Sequence, residues 1–504
     1  MQLRLFVLCS ALYLLGSSRE PPWGDSHVVY DTTQALIDRA ELDVHLDGPP
    51  QFFVFRGSAK FGVFPLGNVV ALAPGYLLYK ALRHLTWLPD RALYNTCCHL
   101  SPAMMMAAAC VLFFRLAHRR GASERSATFL TLTFGFGTLA FIYARCMFSE
   151  ALQTLALLWV FERTLNQAET PTLSGMGWLG IAAGVLVNSK LVHVLALPPI
   201  AIYLVYAHRH RLGPFLRALP LGAVAFAEFC AVLLLHNHLK TGSFLHSGYH
   251  DEEGAFSGAV MPALYGLYLS TGKGLFFYSP PLLLGVLGLR RSLERFRAET
   301  LLSLSLVAIF TLVNAKFRFW HADYCWGPRH LLPVMPLMLL WAFPWIEETS
   351  RAIRRTLLIA TFSLGIAVQT LGAAFYWDHY IRILIAVKDQ TGAEGWFQAD
   401  LSHAHYIPSF SPLRGHRWLL EHVISGDRAL DRDAPWKKIV PQSANLDDAW
   451  SRLRIDWWPL EWFYQTPQAT AAVEGALAGL GVVAMASGWL VIRRLVTLDR
   501  FRNR

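Results

Sequence analysis

Two carboxylates and four cations stand where this chain could do chemistry at a membrane surface. Asp25 lies in Trp23-Gly24-Asp25-Ser26-His27, a few residues beyond the first apolar run and ahead of a helix-like stretch reaching Ala40. Glu150 closes the turn Tyr143-Ala144-Arg145-Cys146-Met147-Phe148-Ser149-Glu150 and heads another apolar run. A carboxylate held at a membrane surface is partly desolvated, which raises its proton affinity and makes it a better base. Each acid also has a structural alternative. Asp is a favoured N-cap, and an acid at a helix N-terminus is stabilised by the helix dipole. Glu228 lies deeper, in Ala227-Glu228-Phe229, where a polar contact between helices is expected.

The cations are Lys60, Arg145, Lys273 and Arg329. Lys273 sits in Ser270-Thr271-Gly272-Lys273-Gly274, where glycines would let a phosphate approach the backbone and the ammonium. The spacing is not that of a Walker motif. Arg329 sits in Trp326-Gly327-Pro328-Arg329-His330. Membrane proteins concentrate cations on the cytoplasmic side, so outer cations near the bilayer ask for an anionic partner, such as a lipid phosphate. Lipid-headgroup contact without chemistry is the alternative. Asp43, His45 and Asp47 alternate and would share one face of an extended segment, which leaves a divalent metal open beside a simple solvated loop. His236, His238, His246 and His250 cluster in the same way and read equally well as interfacial histidines. The seven cysteines contain no CxxC and suggest neither a disulfide framework nor a zinc ribbon.

The elements that must position these residues are membrane helices. Of 504 residues, 54% are hydrophobic and 16% charged, against about 25% charged in a soluble domain. Apolar runs at 2–17, 64–83, 95–117, 126–144, 149–161, 176–189, 191–207, 218–236, 275–289, 300–314, 331–346, 356–376 and 471–492 alternate with short basic loops. The net charge of +10 does not point to nucleic acid, because the excess Arg sits at the ends of apolar runs. Basic clusters near residues 115–125, 209–217, 290–297, 351–355 and 493–504 are placed in the cytoplasm, and 237–274, 315–330 and 377–470 outside.

Parity then requires one early run not to cross. Run 64–83 contains Pro65, Gly67, Pro74 and Gly75, and Pro inside a helix costs about 3 kcal/mol or more. It is read as a helix lying at the outer surface. Run 2–17 is read as a retained first span, with a cleaved signal peptide as the alternative. The fold expected is an all-α integral membrane protein with about twelve transmembrane helices, outer juxtamembrane helices and an extracytoplasmic C-terminal loop region. Residues 1–376 would form the membrane module, with a first outer loop at 18–94. Residues 377–470 would form a Trp-rich outer region folding over the outer face, and 471–504 the last span and basic tail.

Five stretches resemble the GT-C superfamily of polytopic glycosyltransferases, closest in pattern to bacterial members that include the lipid A aminoarabinose transferase and relatives of protein O-mannosyltransferases. Gly24-Asp25 with Tyr30 resembles the acidic motif of the family's first loop. Lys60-Phe61, Phe64-Pro65-Leu66-Gly67 and Ala73-Pro74-Gly75-Tyr76-Leu77-Leu78 resemble its juxtamembrane helix. Tyr143-Ala144-Arg145 through Ser149-Glu150 is similar to the turn carrying its second acid. Asn188-Ser189-Lys190 to Pro198 is similar to a helix break. Thr271-Gly272-Lys273-Gly274 with Tyr278-Ser279-Pro280, and Trp326-Gly327-Pro328-Arg329, resemble loops of bacterial members.

The resemblance covers roughly residues 1–350. It implies a hexosyl- or pentosyltransferase of the inner or plasma membrane, with its active site facing outward. The donor would be a polyprenyl-phosphate sugar and the acceptor a lipid, glycan or protein. Asp25 would be the general base and Glu150 a second acid, with Lys60, Arg145, Lys273 and Arg329 as phosphate contacts. Ser26 follows Asp25 where many members carry a second acid, which speaks against a metal held by that loop. The rival class is a transporter or flippase for a lipid-linked sugar, for which the break at 187–190 is the one supporting feature.

Overall fold

The computed structural model describes residues 1–22, 24–85, 90–248, 255–322, 325–348, 351–391, 402–465 and 470–502. About 75% is helical. Among the described residues the one sheet is a hairpin of β1 (Phe53–Arg56) and β2 (Ala59–Gly62), in which Phe53 faces Gly62 and Arg56 faces Ala59. Among the described residues, seven helical segments are long and apolar enough to cross a membrane: Asp90–Arg119, Leu191–His208, Leu212–Thr241, Arg297–Lys316, Arg329–Glu348, Ala352–Ala374 and Val473–Thr497. This is the multi-pass pattern that the apolar runs predict.

The first run forms α1 (Gln2–Leu15), which packs against the helices Leu100–Arg119 and Thr470–Arg502. Arg4 donates from Nη1 to the Leu490 carbonyl at 3.0 Å. The first outer loop holds α2 (Asp25–Arg39), the hairpin and α3 (Leu66–Leu82). At 17 residues with Pro74 inside, α3 is short for a span. Its contacts include α2, where the Thr33 hydroxyl donates to the Val69 carbonyl at 3.0 Å. Helices Leu173–Ser189 and Leu212–Thr241 cross at Gly180 and Gly222. A Cβ on Gly180 would stand 2.1 Å from the Gly222 carbonyl oxygen, so only glycine permits this approach.

One large core fills the bundle. A second core, built on Phe375, Tyr380, Leu384, Trp418, Leu419 and Trp436, lies within residues 375–453. The tryptophans of the polar C-terminal stretch thus serve partly as core. All seven cysteines are free, and all but Cys230 are buried. Glu228 corrects its expectation: it is exposed on the outward face of the Leu212–Thr241 helix rather than paired between helices.

Candidate active site

Gly24 turns the chain into α2 with φ 60° and ψ −131°, a conformation that glycine adopts without strain. Gly24 is therefore the cap, and Asp25 is the first residue of the helix with no side-chain cap bond. This corrects the capping alternative for Asp25. One carboxylate oxygen, Oδ1, accepts from the Ser26 amide at 3.1 Å, and the other, Oδ2, accepts from Arg329 Nη2 at 3.1 Å.

Glu150 opens the Glu150–Glu169 helix and is buried at 2% exposure. Its Oε1 lies 3.7 Å from Arg329 Nε and 3.9 Å from His330 Nδ1. Its Oε2 has no hydrogen-bond partner among the described residues. Arg329 begins the 3-10 turn Arg329–Val334, and its guanidinium lies 4.2 Å over the Phe148 ring. Its Nε and Nη1 also lack hydrogen-bond partners among the described residues. Tyr143 donates its hydroxyl to the Trp326 carbonyl at 2.9 Å, which ties the turn carrying Glu150 to the loop carrying Arg329.

Lys190 joins this group from the break between Leu173–Ser189 and the 3-10 turn Leu191–Ala196, with Nζ 3.4 Å from His330 Nδ1. Burial lowers its pKa, and Glu150 is the chief opposing influence. The sequence marks Lys190 only as part of a helix break. The polar members Asp25, Ser26, Asn68, Glu150, Lys190 and Arg329, with Phe64, Pro65, Met147 and Phe148, line a cavity of about 40 Å³. It sets two carboxylates against two fixed cations, with unused donors on Arg329 and an unused acceptor on Glu150. Such a site can accept a proton and stabilise an incoming or departing anion. Arg329 bridges the two acids. Among the described residues no three His, Cys, Asp or Glu converge as metal ligands, Asp43, His45 and Asp47 included.

The other three predicted cations are not brought to the cavity. Lys60 lies on β2 and donates to the Leu46 carbonyl at 2.5 Å. Arg145 is buried and bonds to the Gly16 carbonyl, and its Nη2 donates to the Asp456 carbonyl at 2.6 Å. Lys273 is buried and donates to the Cys325 carbonyl at 2.8 Å. That bond fixes Lys273 to the segment four residues before Arg329. Lys273→Met should therefore lower stability by about 1–3 kcal/mol through an unsatisfied carbonyl. Thermal unfolding of the variant beside wild type would check this, and an unchanged midpoint would overturn it. His250 and the acidic run Asp251-Glu252-Glu253 that follows it lie outside the described residues.

Away from the cavity lining, burial and then Asp456 push the Glu20 carboxyl up to about 7. Arg19, Glu461, Arg91 and His379 share its surroundings. A carboxyl that holds its proton more tightly when folded lends stability that is complete below its unfolded value of 4.5 and is lost as pH rises through about 7. Tm should fall over that interval, and Glu20→Gln should flatten the fall. An unaltered Tm–pH curve in the variant would count against this assignment.

A scan of the sequence against protein-family models finds no match, and no curated protein matches it. The architecture is nevertheless recognisable among solved structures as a GT-C-like fold. It is similar to ArnT from Cupriavidus metallidurans in the apo state, with a TM-score of 0.53 and 13% identity over 96% of this chain and 76% of that one. The archaeal oligosaccharyltransferase AglB from Archaeoglobus fulgidus, in complex with an inhibitory peptide and a dolichol-phosphate, aligns at a TM-score of 0.45 and 11% identity, over 78% of this chain and 59% of that one.

Proposed function

We propose that the chain is a glycosyltransferase that takes a sugar from a polyprenyl-phosphate donor and passes it to an acceptor hydroxyl at the outer membrane surface. The observation that carries this reading is the pairing of Asp25 and Glu150 with Arg329, with Lys190 beside them, in one cavity. The acceptor oxygen attacks the anomeric carbon as the bond from that carbon to the phosphate oxygen breaks. Asp25 takes the acceptor proton, and the electron pair leaves on the lipid phosphate. A phosphate is already a good leaving group, so no general acid is needed. Arg329 and Lys190 stabilise its growing charge. A single displacement inverts the anomeric centre. Glu150 keeps Arg329 ionised and aimed.

A cavity of about 40 Å³ holds little more than a water. The donor phosphate therefore takes over Arg329 from Asp25 as it enters, freeing the carboxylate to act as base. In this reading about twelve crossings place both termini in the cytoplasm. The active site faces outward from the inner or plasma membrane, and residues 377–470 form a separate outer unit. The acceptor is a lipid, glycan or protein.

The transporter reading is weaker, because Asp25, Glu150 and Arg329 stand at the ends of helical segments, whereas transporters tend to set such charges near the bilayer midplane within broken helices. Mass spectrometry of lipids copurifying with the intact protein tests the proposal. A bound polyprenyl phosphate or its glycoside is expected. Sugar-lipid movement across liposomes without any acceptor, and no transfer when acceptors are supplied, would replace it with a flippase.

A further inference from the structure

Residues 456–458 stitch the outer C-terminal region to the end of α1. The Trp457 indole donates to the Leu15 carbonyl at 2.8 Å, and the Trp458 amide to the Ser17 carbonyl at 3.2 Å. Asp456 is the centre of this seam. Its amide donates to the Ala374 carbonyl at 2.9 Å. Its Oδ1 accepts from the Ser18 hydroxyl at 2.6 Å and from the Arg19 amide at 2.9 Å. Its Oδ2 lies 3.5 Å from Arg145 Nη2, and the same nitrogen donates to its carbonyl. Both side chains are almost fully buried, at 3% exposure for Asp456 and 4% for Arg145.

The partners of Asp456 are not scattered. Ser18 and Arg19 belong to the short strand of chain that delivers Asp25, and Arg145 belongs to the turn that delivers Glu150. Arg145 in addition holds the Gly16 and Ala373 carbonyls. One buried carboxylate thus joins the two segments that carry the cavity acids, and fixes both to a third element outside the bundle. A buried pair in which one charge also organises several carbonyls tolerates little displacement, because any shift leaves an ion without compensation.

We infer that Asp456 is a positioning residue: it holds the Asp25 and Glu150 segments in place against the outer region, so that this region acts on the reaction without touching the substrate. This rests on the proposed role of those two acids. A displacement of about 1 Å at a reacting group can cost on the order of 100-fold in rate, so Asp456→Asn should lower kcat by about 10- to 100-fold. Asn still accepts from Ser18 and Arg19 but leaves Arg145 without its counter-ion.

The test uses the full-length protein with Cys230→Ala and spin labels at Glu41→Cys, just beyond α2, and Glu421→Cys, on the Pro412–Ser425 helix; both are exposed positions. The expected result is a narrow distance distribution in the parent that broadens in Asp456→Asn. It should come with a fall in kcat, a donor KM within about threefold of the parent and a normal folded yield. Ser18→Ala removes a single bond and should give a smaller change of the same kind, which serves if Asp456→Asn does not fold. An unbroadened distribution, or a broadened one with parental kcat, overturns the inference. A broadened distribution in a protein that transfers no sugar supports the seam and rejects the proposed function.

Discussion

Arg329→Met is expected to damage both stability and turnover, and a second substitution should separate the two. Arg329 bridges Asp25 at 3.1 Å and Glu150 at 3.7 Å, and Glu150 is almost entirely buried. Removing the cation leaves an uncompensated buried carboxylate, a change that costs about 3–5 kcal/mol. If Arg329 holds the donor phosphate as proposed, its loss also removes a charge-assisted contact worth about 1.5–3 kcal/mol, or roughly 10- to 100-fold in kcat/KM. Adding Glu150→Gln removes the stranded charge. The double variant should regain most of the lost stability in chemical unfolding yet remain deficient in donor use. Recovery of both together would mean that Arg329 serves only to neutralise Glu150, and the phosphate assignment would fall.

The two acids and Arg329 were legible because each stands at a boundary between an apolar run and a polar loop. Such boundaries mark where helices begin, and helix beginnings on one side of a membrane converge. Lys190 stands at the same kind of boundary, but it follows one short helix and precedes another within what reads as near-continuous apolar sequence. Its chemistry was hidden behind the helix break. Asp25 was misread in one respect. The pattern of a polar residue before a helix suggests a cap, and only the φ of 60° at Gly24 shows that the cap lies one residue earlier.

Lys60, Arg145 and Lys273 failed as cavity residues for a common reason. Their side chains are long, and each ends on backbone carbonyls contributed by distant segments: Leu46 for Lys60, Gly16 and Asp456 for Arg145, and Cys325 for Lys273. A sequence shows which residues carry charge. It does not show which carbonyls are left unpaired where turns and helix ends meet, and those carbonyls decide where a buried cation goes. Glu228 failed in the opposite direction. Its apolar neighbours suggested a packed helix, but the packed face of Leu212–Thr241 runs through Ala218, Gly222, Ala225 and Leu233, and Glu228 lies off it.

Asp25→Asn should separate base from scaffold most sharply, because the structure fixes what the substitution leaves intact. Gly24 caps α2, so helix formation does not depend on the side chain at position 25. Asn keeps the shape and one accepting oxygen, which can face Arg329 in place of Oδ2, so that contact survives without its charge while the bond from the Ser26 amide is given up. What disappears is the capacity to take a proton. If Asp25 is the base, turnover should fall by about 10²–10⁴-fold, the usual range for general base catalysis. Donor affinity should hold or rise, since the phosphate no longer competes with a carboxylate for Arg329. That divergence is the signature: losing an interaction made only in the transition state lowers kcat without weakening ground-state binding. If Asp25 merely neutralises Arg329, the variant should bind the donor more tightly and transfer sugar at close to the parental rate. The measurement is single-turnover transfer alongside equilibrium binding of a polyprenyl phosphate to the same purified preparation. Near-parental transfer would move the base to Glu150, whose free Oε2 faces no partner among the described residues.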